Sequence, residues 1–366
     1  MFVAITNTPR DYAWGSDGAI SELLGFQASG APEAELWLGA HPGSPSRVEG
    51  TDETLADLVD GRLPFLLKVL AAGSPLSLQA HPTAAQAKAG FARENALGIP
   101  VEAPNRNYRD AYPKPELIYA LSDTFDALCG FRSAADIRET LSFFDPLAVE
   151  PMVEKLQSDI SLRDVFEWLI SRGPDVDALV AAVSAAADDS TPALATVREL
   201  AGLYPGDPGI VISLMLNRVT LAAGEVLYLP AGNIHAYLSG VGIELMTASD
   251  NVLRGGLTTK HIDIPELLEV LDFRPIPVPY LKPERPSPGV EVFRPDVTDF
   301  QLYRIEDEGS ISVTGPAIAL CTDGDLEVQG ALGADNLSRG DALYITPDEA
   351  TLSFSGLGTV FVATTG

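Results

Sequence analysis

Two stretches far apart in the chain carry the same pattern, and that repetition limits the fold more than any other feature. Leu221-Ala222-Ala223-Gly224-Glu225-Val226-Leu227-Tyr228-Leu229-Pro230 aligns with Leu337-Ser338-Arg339-Gly340-Asp341-Ala342-Leu343-Tyr344-Ile345-Thr346, and the register holds without a gap to Ser239-Gly240 and Ser355-Gly356. Gly-(Glu/Asp)-x-x-Tyr-(Leu/Ile) suits a turn followed by a short apolar strand. The simplest account is two copies of one β unit, each feeding a small barrel. Where the first copy has His235 the second has Thr351. If the unit holds a metal, the second copy has lost a ligand and is structural.

The texture around the repeat changes along the chain. Residues 1–132 mix strand-like runs with turns. Thr51-Asp52-Glu53 begins a short helix that stops near Gly61, and Thr83 with Gln86 makes a capping box for another, ending before Gly90 or Gly98. Between them Leu63–Leu70 and Leu76–His81 read as strands joined around Ala72-Gly73-Ser74. Ser133-Ala134-Ala135-Asp136 is a helix start, and the apolar residues of Leu162–Ile170 fall on one helical face. Val176–Ala187 and Ala193–Leu203 follow the breakers Gly173-Pro174 and Thr191-Pro192. Strand texture resumes at Gly209–Leu216, and the remainder is β-like apart from a short helix near Pro265–Val270 capped by Asp263. The expectation is a mainly β chain in four stretches: 1–132 and 205–270 in one unit, 133–204 an inserted helical module, and 271–366 a second unit.

Composition removes several function classes. With 366 residues, 46% hydrophobic and 20% charged, the chain has material for a sizeable core. A formal charge of −27 repels phosphodiester backbones and anionic lipid, so nucleic acid and membrane surfaces are excluded as partners; the acidic surface serves solubility. No apolar run of about 18 residues and no basic leader followed by an apolar stretch is present, which predicts neither a span nor a signal. Cys129 and Cys321 lie far apart and form no CxxC, which fits a reducing cytoplasm and argues against a thiolate metal site.

Four segments could carry chemistry. In Ser77-Leu78-Gln79-Ala80-His81 the period of two puts Ser77, Gln79 and His81 on one strand face. Three buried polar groups are costly unless paired or ligating, so the choice is a hydrogen-bonded strand face or a pair of N/O ligands. Lys114 and Glu116 share a face at the head of an apolar strand; taken alone they read as a surface ion pair at a strand edge. Pro230-Ala231-Gly232-Asn233-Ile234-His235-Ala236-Tyr237 leads a histidine out of a turn, where a lone histidine is more often structural. Together Gln79, His81, Glu116 and His235 form a set suited to Zn²⁺ without thiolate, though spacing alone does not bring them together. Finally, Gly242 to His261 concentrates Glu244, Asp250, Arg254 and Lys260 beside glycines that let backbone approach a ligand. In so acidic a chain, Arg254 and Lys260 suit an anionic substrate, Arg gripping phosphate or an enediolate through two N–H groups. The plain alternative is a solvated loop with ordinary ion pairs. His41 and His261 read as structural.

Taken in order, Tyr12-Ala13-Trp14-Gly15, Glu35 to Pro42, Leu63 to Leu70, Ser77 to Pro82, Lys114-Pro115-Glu116, Tyr228 to Tyr237 and Ser249 to Arg254 resemble the type I mannose-6-phosphate isomerase family, zinc enzymes of cupin fold. The match runs from residue 12 to about 263, and the last hundred residues match only as a degenerate cupin. The resemblance implies two cupin (jelly-roll) β-barrels with an inserted α-helical domain. It implies one Zn²⁺ per chain on Gln79, His81, Glu116 and His235, with Arg254 catalytic. Ser77, Lys68 and Lys260 fall where the family is thought to hold the substrate phosphate, and Lys114, Glu244 and Asp250 on polar active-site positions. Family members often have Asn-His before Lys-Pro-Glu, whereas Tyr112-Pro113 stand here, so no mechanism can use that histidine as the base. The implied reaction interconverts mannose 6-phosphate and fructose 6-phosphate through a cis-enediol(ate), in a cytoplasmic monomer whose only partner is a small phosphosugar. A non-catalytic phosphosugar-binding double cupin, or an isomerase of another phosphosugar, are the alternatives. A cupin dioxygenase is disfavoured because Gln79 replaces the first histidine of His-x-His.

Overall fold

The computed structural model describes residues 1–59 and 62–366. Among them the chain is mainly β, with antiparallel strands in a nine-stranded and a ten-stranded sheet. The two copies of the repeat fall one in each sheet and are built alike. Gly224 and Gly340 turn at φ +91° and +96°, a left-handed conformation that a side chain would oppose. Each following acid closes its turn: Glu225 accepts from the Ala222 N–H and Asp341 from the Ser338 N–H, both at 2.9 Å. Strands Val226–Leu229 and Ala342–Ile345 come next, then the long strands His235–Thr247 and Thr351–Thr364, starting at the matched His235 and Thr351.

The helices start where local chemistry places them. Thr83 and Gln86 cap Ala84–Ala96 reciprocally, so that helix runs through Gly90 and stops before Gly98. Ser133 caps Ala134–Leu141 and Asp263 caps Ile264–Val270. Leu162–Ile170, Pro174–Ala186 and Pro192–Leu203 are helical. Pro146–Lys155, capped by Asp145, carries Pro151 inside it, and that proline masked it in the sequence. Thr51-Asp52-Glu53 does not start a helix. Leu55–Leu58 does, capped by Thr54 and Asp57, and the expected end near Gly61 lies outside the described residues.

One strand expectation is overturned. Gly209–Ile212 is α-helical and Ser213–Met215 a 3₁₀ turn, and the strand begins only at Leu216. A short continuous apolar run fits a buried strand and a buried helix equally. Here Asp207 accepts from the Gly209 N–H at 2.7 Å beside the first turn, and every residue of the run is buried, the large apolar ones in the helical core. The N-terminal strand Phe2–Thr6 is also displaced from expectation, pairing with Ala342–Ile345 in the ten-stranded sheet.

Packing joins these parts. Leu162, Val165, Phe166, Leu169 and Ile170 are buried in one cluster with Leu78 and Ala80, so the helices cover the back of the strand that carries Gln79. Each such fully buried side chain contributes about 1.5–3 kcal/mol relative to exposure. A second cluster spans the two sheets, where Tyr119 meets Phe293 and Phe361 edge-on at 5.6 and 4.9 Å.

Candidate active site

Strand pairing assembles the site. Leu253–Gly256, Leu78–Ala80 and His235–Thr247 lie side by side, with Arg254 opposite Gln79 and Gln79 opposite His235. Leu78 and Ala80 turn into the helical core, so Ser77 and Gln79 face a cavity of about 560 Å³. The long strand serves this cavity at two points. His235 and Tyr237 point the same way, and the ladder then slips between Tyr237 and Ser239, the extra residue inverting the alternation that follows. Glu244 therefore lines the cavity while its neighbours Ile243 and Leu245 enter the core between the sheets. Lys68 stands directly opposite Glu244 on the adjacent strand.

His81, Glu116 and His235 converge with candidate ligand atoms within 4.8 Å of one another. His81 Nδ1 meets the Asn251 carbonyl at 2.8 Å and His235 Nδ1 the Asn233 carbonyl at 3.0 Å. A carbonyl only accepts, so both Nδ1 atoms carry the proton and both Nε2 atoms present lone pairs. These lone pairs face Glu116, 3.3 and 3.2 Å from its two oxygens, and His81 Nε2, His235 Nε2 and Glu116 Oε2 are buried without a hydrogen bond. Lone pairs opposed to a carboxylate are unfavourable unless a cation lies between them, so the donors fit a divalent metal. Burial, aided by Lys114, pushes His81 down to about 4, which keeps it neutral. For Glu116 burial works against the charge, but Lys114 and His81 outweigh it and hold the carboxyl well below its usual range. Neutral imidazole and ionised carboxylate are the ligating forms. Gln79 stands directly opposite His235 in the sheet and lines the same cavity.

Lys114 and Glu116 are both buried and 2.7 Å apart, so the surface-pair reading is overturned. Lys68 is buried too, bridging Glu244 at 2.8 Å and Glu35 at 3.2 Å. Burial opposes its charge, yet Glu244 and Glu35 more than compensate and raise its pKa. Burial also raises Glu244, against the opposing charge of Lys68. Glu35 further accepts from Trp37 Nε1 at 3.0 Å.

Arg254 and Lys260 line the same cavity, and among the described residues neither side chain has a hydrogen-bond or ion-pair partner. Burial and then Arg109 lower the pKa of Arg254; burial, Arg254 and Arg109 lower that of Lys260. Uncompensated cations crowded in a chain of charge −27 mark an anion site.

The structure thus brings together Ser77, Gln79, His81, Glu116, His235, Lys68, Lys114, Glu244, Arg254 and Lys260. Asp250 departs from expectation: it lines a separate cavity and lies 3.4 Å from His41 Nε2. Its backbone N–H is held by Asp110, which turns the residue away from the site. His41 is buried edge-on to Trp37, as a structural histidine would be, and His261 is exposed. Gly256 was expected to admit a ligand but packs on Gly209 and Asp207. Sequence reasoning missed Glu35 and Tyr237. Glu35 shares a strand face with Trp37 in a motif already noted, and Tyr237 follows His235 at the strand period, so the signals were present.

Comparison with known proteins agrees with this geometry. Residues 2–134 match the family described as phosphomannose isomerase type I, catalytic domain. The mannose-6-phosphate isomerase of Escherichia coli (strain K12) is 37% identical over 383 residues, covering 97% of each chain. The human mannose-6-phosphate isomerase is 31% identical over 403 residues, covering 93% of this chain and 92% of that protein. A crystal structure of mannose 6-phosphate isomerase bound with zinc and yttrium superposes with a TM-score of 0.92 at 36% identity, covering 100% of this chain and 99% of the other. The chain belongs to the mannose-6-phosphate isomerase family.

Proposed function

We propose that this chain interconverts mannose 6-phosphate and fructose 6-phosphate in the cavity between Arg254, Lys260 and the His81–Glu116–His235 cluster. The observation that carries the reading is the unpartnered Arg254 and Lys260 sharing one cavity with a buried set of lone pairs that needs a cation. Gln79, His81, Glu116 and His235 are the residues that would hold Zn²⁺, which supplies Lewis acidity toward the sugar oxygens. Arg254, rigid on a strand, stabilises the negative charge that develops as the C2 proton leaves and the cis-enediol(ate) forms. Ser77 and Lys260 anchor the phosphate. Lys68 is saturated by two carboxylates, so its part is to hold Glu244 in place. Glu244, whose pKa burial raises, is the cavity carboxylate suited to carrying the proton between C2 and C1.

Around this site we infer two cupin barrels: a catalytic one from 1–132 and 205–270 with helices inserted at 133–204, and a degenerate one over 271–366 to whose sheet the strand Phe2–Thr6 is added. The buried free Cys129 and Cys321 support a reducing cytoplasm. The most exposed large apolar side chains, Leu97, Leu147, Ile160, Leu332 and Leu357, are scattered over five segments, which supports a monomer. No helix among the described residues is long and apolar enough to cross a membrane.

The test is conversion of mannose 6-phosphate to fructose 6-phosphate by purified protein before chelation, after it, and after adding Zn²⁺ back. Activity should disappear and return. A metal-loaded sample without turnover would overturn the reading.

A further inference from the structure

The loop that carries Lys260 is anchored at its ends, Leu257 buried in the helical core and Ile262 packed against it, while Thr259 and Lys260 between them are exposed. Between the strand ending at Gly256 and the helix starting at Ile264, Leu257 to Ile262 belong to no regular element, and Leu257, Thr258, Thr259 and Lys260 line the cavity. Among the described residues one hydrogen bond ties this segment to the rest of the chain: the Leu257 N–H donates to Asp207 Oδ1 at 3.0 Å. Asp207 lies just past the last helix of the inserted module, Pro192–Leu203, and ahead of the helix Gly209–Ile212. The same oxygen accepts from the Gly209 N–H at 2.7 Å, and the other oxygen lies 3.6 Å from Arg172 Nη2. The carboxylate is buried, and it holds Leu257 in a left-handed conformation at φ +53° that a leucine avoids when free. Gly256 permits the approach, since a Cβ there would stand 3.0 Å from the Gly209 Cα and 3.2 Å from Asp207 Oδ1. Three residues before Asp207, Tyr204 donates to the Pro75 carbonyl at 2.8 Å, beside Ser77 on the same cavity.

We propose that Asp207 is a positioning residue for substrate phosphate: through the Leu257 N–H it sets the turn that aims the Thr258–Lys260 loop into the cavity, so that the helical module fixes the anion subsite. This rests on the phosphosugar reading of the cavity. It predicts a separation that a purely structural aspartate would not give, because Arg254 is held three residues before Leu257 by its pairing with Gln79, and His81, Glu116 and His235 lie on segments that Asp207 does not touch. Loss of Asp207 should weaken phosphate recognition while sparing zinc content and turnover at saturation.

The experiment uses zinc-loaded full-length protein, with inorganic phosphate as the calorimetric probe and mannose 6-phosphate for kinetics. Asp207→Ala removes the acceptor; Asp207→Glu keeps charge and the Arg172 pair but displaces it; Asp207→Asn keeps an oxygen in place. Lys260→Met reports whether phosphate binds at this loop. The Ala and Glu variants should weaken phosphate and raise KM about tenfold or more, with kcat within about threefold and zinc content unchanged, while the Asn variant stays within about threefold of wild type. If the Ala variant does not fold, the contrast between Glu and Asn decides. Glu and Asn variants equal to wild type in both measures overturn the proposal, as does phosphate binding that survives Lys260→Met or is undetectable in wild type. Wild-type protein that binds phosphate through Lys260 but does not isomerise mannose 6-phosphate refutes the proposed function and leaves Asp207 to be judged on phosphate affinity.

Discussion

Replacing Lys68 with methionine separates two roles that the sequence leaves joined. The resemblance places Lys68 on the substrate phosphate, whereas its ammonium lies 2.8 Å from Glu244 and 3.2 Å from Glu35 with a side chain only 6% exposed. At an effective dielectric near 20, each contact at about 3 Å is an attraction of roughly 5 kcal/mol. Burying the ammonium takes back several kcal/mol of this, and breaking a buried pair by removing one partner has a net cost of about 3–5 kcal/mol. Lys68→Met should lose that much at pH 7.5, lowering Tm by roughly 4–7 °C for a chain of this length. The loss has a pH signature. With the ammonium gone, Glu244 is raised further above its unfolded value, so the folded variant binds more protons than the unfolded chain between those two values and gains stability as pH falls. The gap to wild type should therefore narrow toward pH 5.5, and Lys68→Met/Glu244→Gln should recover at least about 2 kcal/mol relative to the single variant. Urea and thermal unfolding followed by tryptophan fluorescence reads this directly, because Trp37 lies 5.1 Å from the ammonium and donates to Glu35. A single variant within about 1 kcal/mol of wild type at pH 7.5, combined with a raised KM for mannose 6-phosphate, would falsify the bridging role and return Lys68 to the phosphate.

Two further outcomes follow from the same site. Arg254→Ala should lower kcat by about 10²–10³ while zinc content and unfolding midpoint stay near wild type, since the side chain makes no contact that the fold uses; near wild-type turnover removes Arg254 from the reaction. In metal-free protein His81 is held down at about 4 against an ordinary 6.5, so the unfolded chain binds the extra proton and stability should fall by about 3 kcal/mol as pH drops from 6.5 to 4. Zinc should raise stability across this window without flattening the slope, because folded His81 is unprotonated with or without the metal, and the metal should be shed as pH nears 4; zinc that stabilises His81→Ala as much as wild type contradicts the assignment of His81 as a ligand.

Much of the fold was legible because local chemistry and packing agree. The face Leu162, Val165, Phe166, Leu169, Ile170 is buried just as its spacing requires, and the paired turns at Gly224 and Gly340 follow from a glycine and an acid in fixed positions. Gly209–Leu216 failed because its direction is decided by what surrounds it: a run apolar on every side has no periodicity to read, and the aspartate beside its first turn sits outside it. The Phe2–Thr6 strand was misplaced for a similar reason, its partner Ala342–Ile345 lying at the other end of the chain.

For the site, residue types were legible and their electrostatic state was not. Ser77, Gln79 and His81 share a face by the strand period alone, but the placement of Glu244 beside Tyr237 needs a ladder slip that no side chain announces. Which cations are free is likewise a property of the assembled fold. Lys68, Lys114, Arg254 and Lys260 look equivalent in sequence, and each is a plausible phosphate ligand. Folding gives Lys68 two carboxylates and Lys114 one, and among the described residues leaves Arg254 and Lys260 with none. Arg254 is half-buried and Lys260 exposed on the same cavity, and like charges held this close without a counter-charge repel each other in the absence of a ligand. An anion in the cavity would offset that repulsion, so the unpaired charges, more than any motif, support the proposed places of the phosphate and the developing oxyanion.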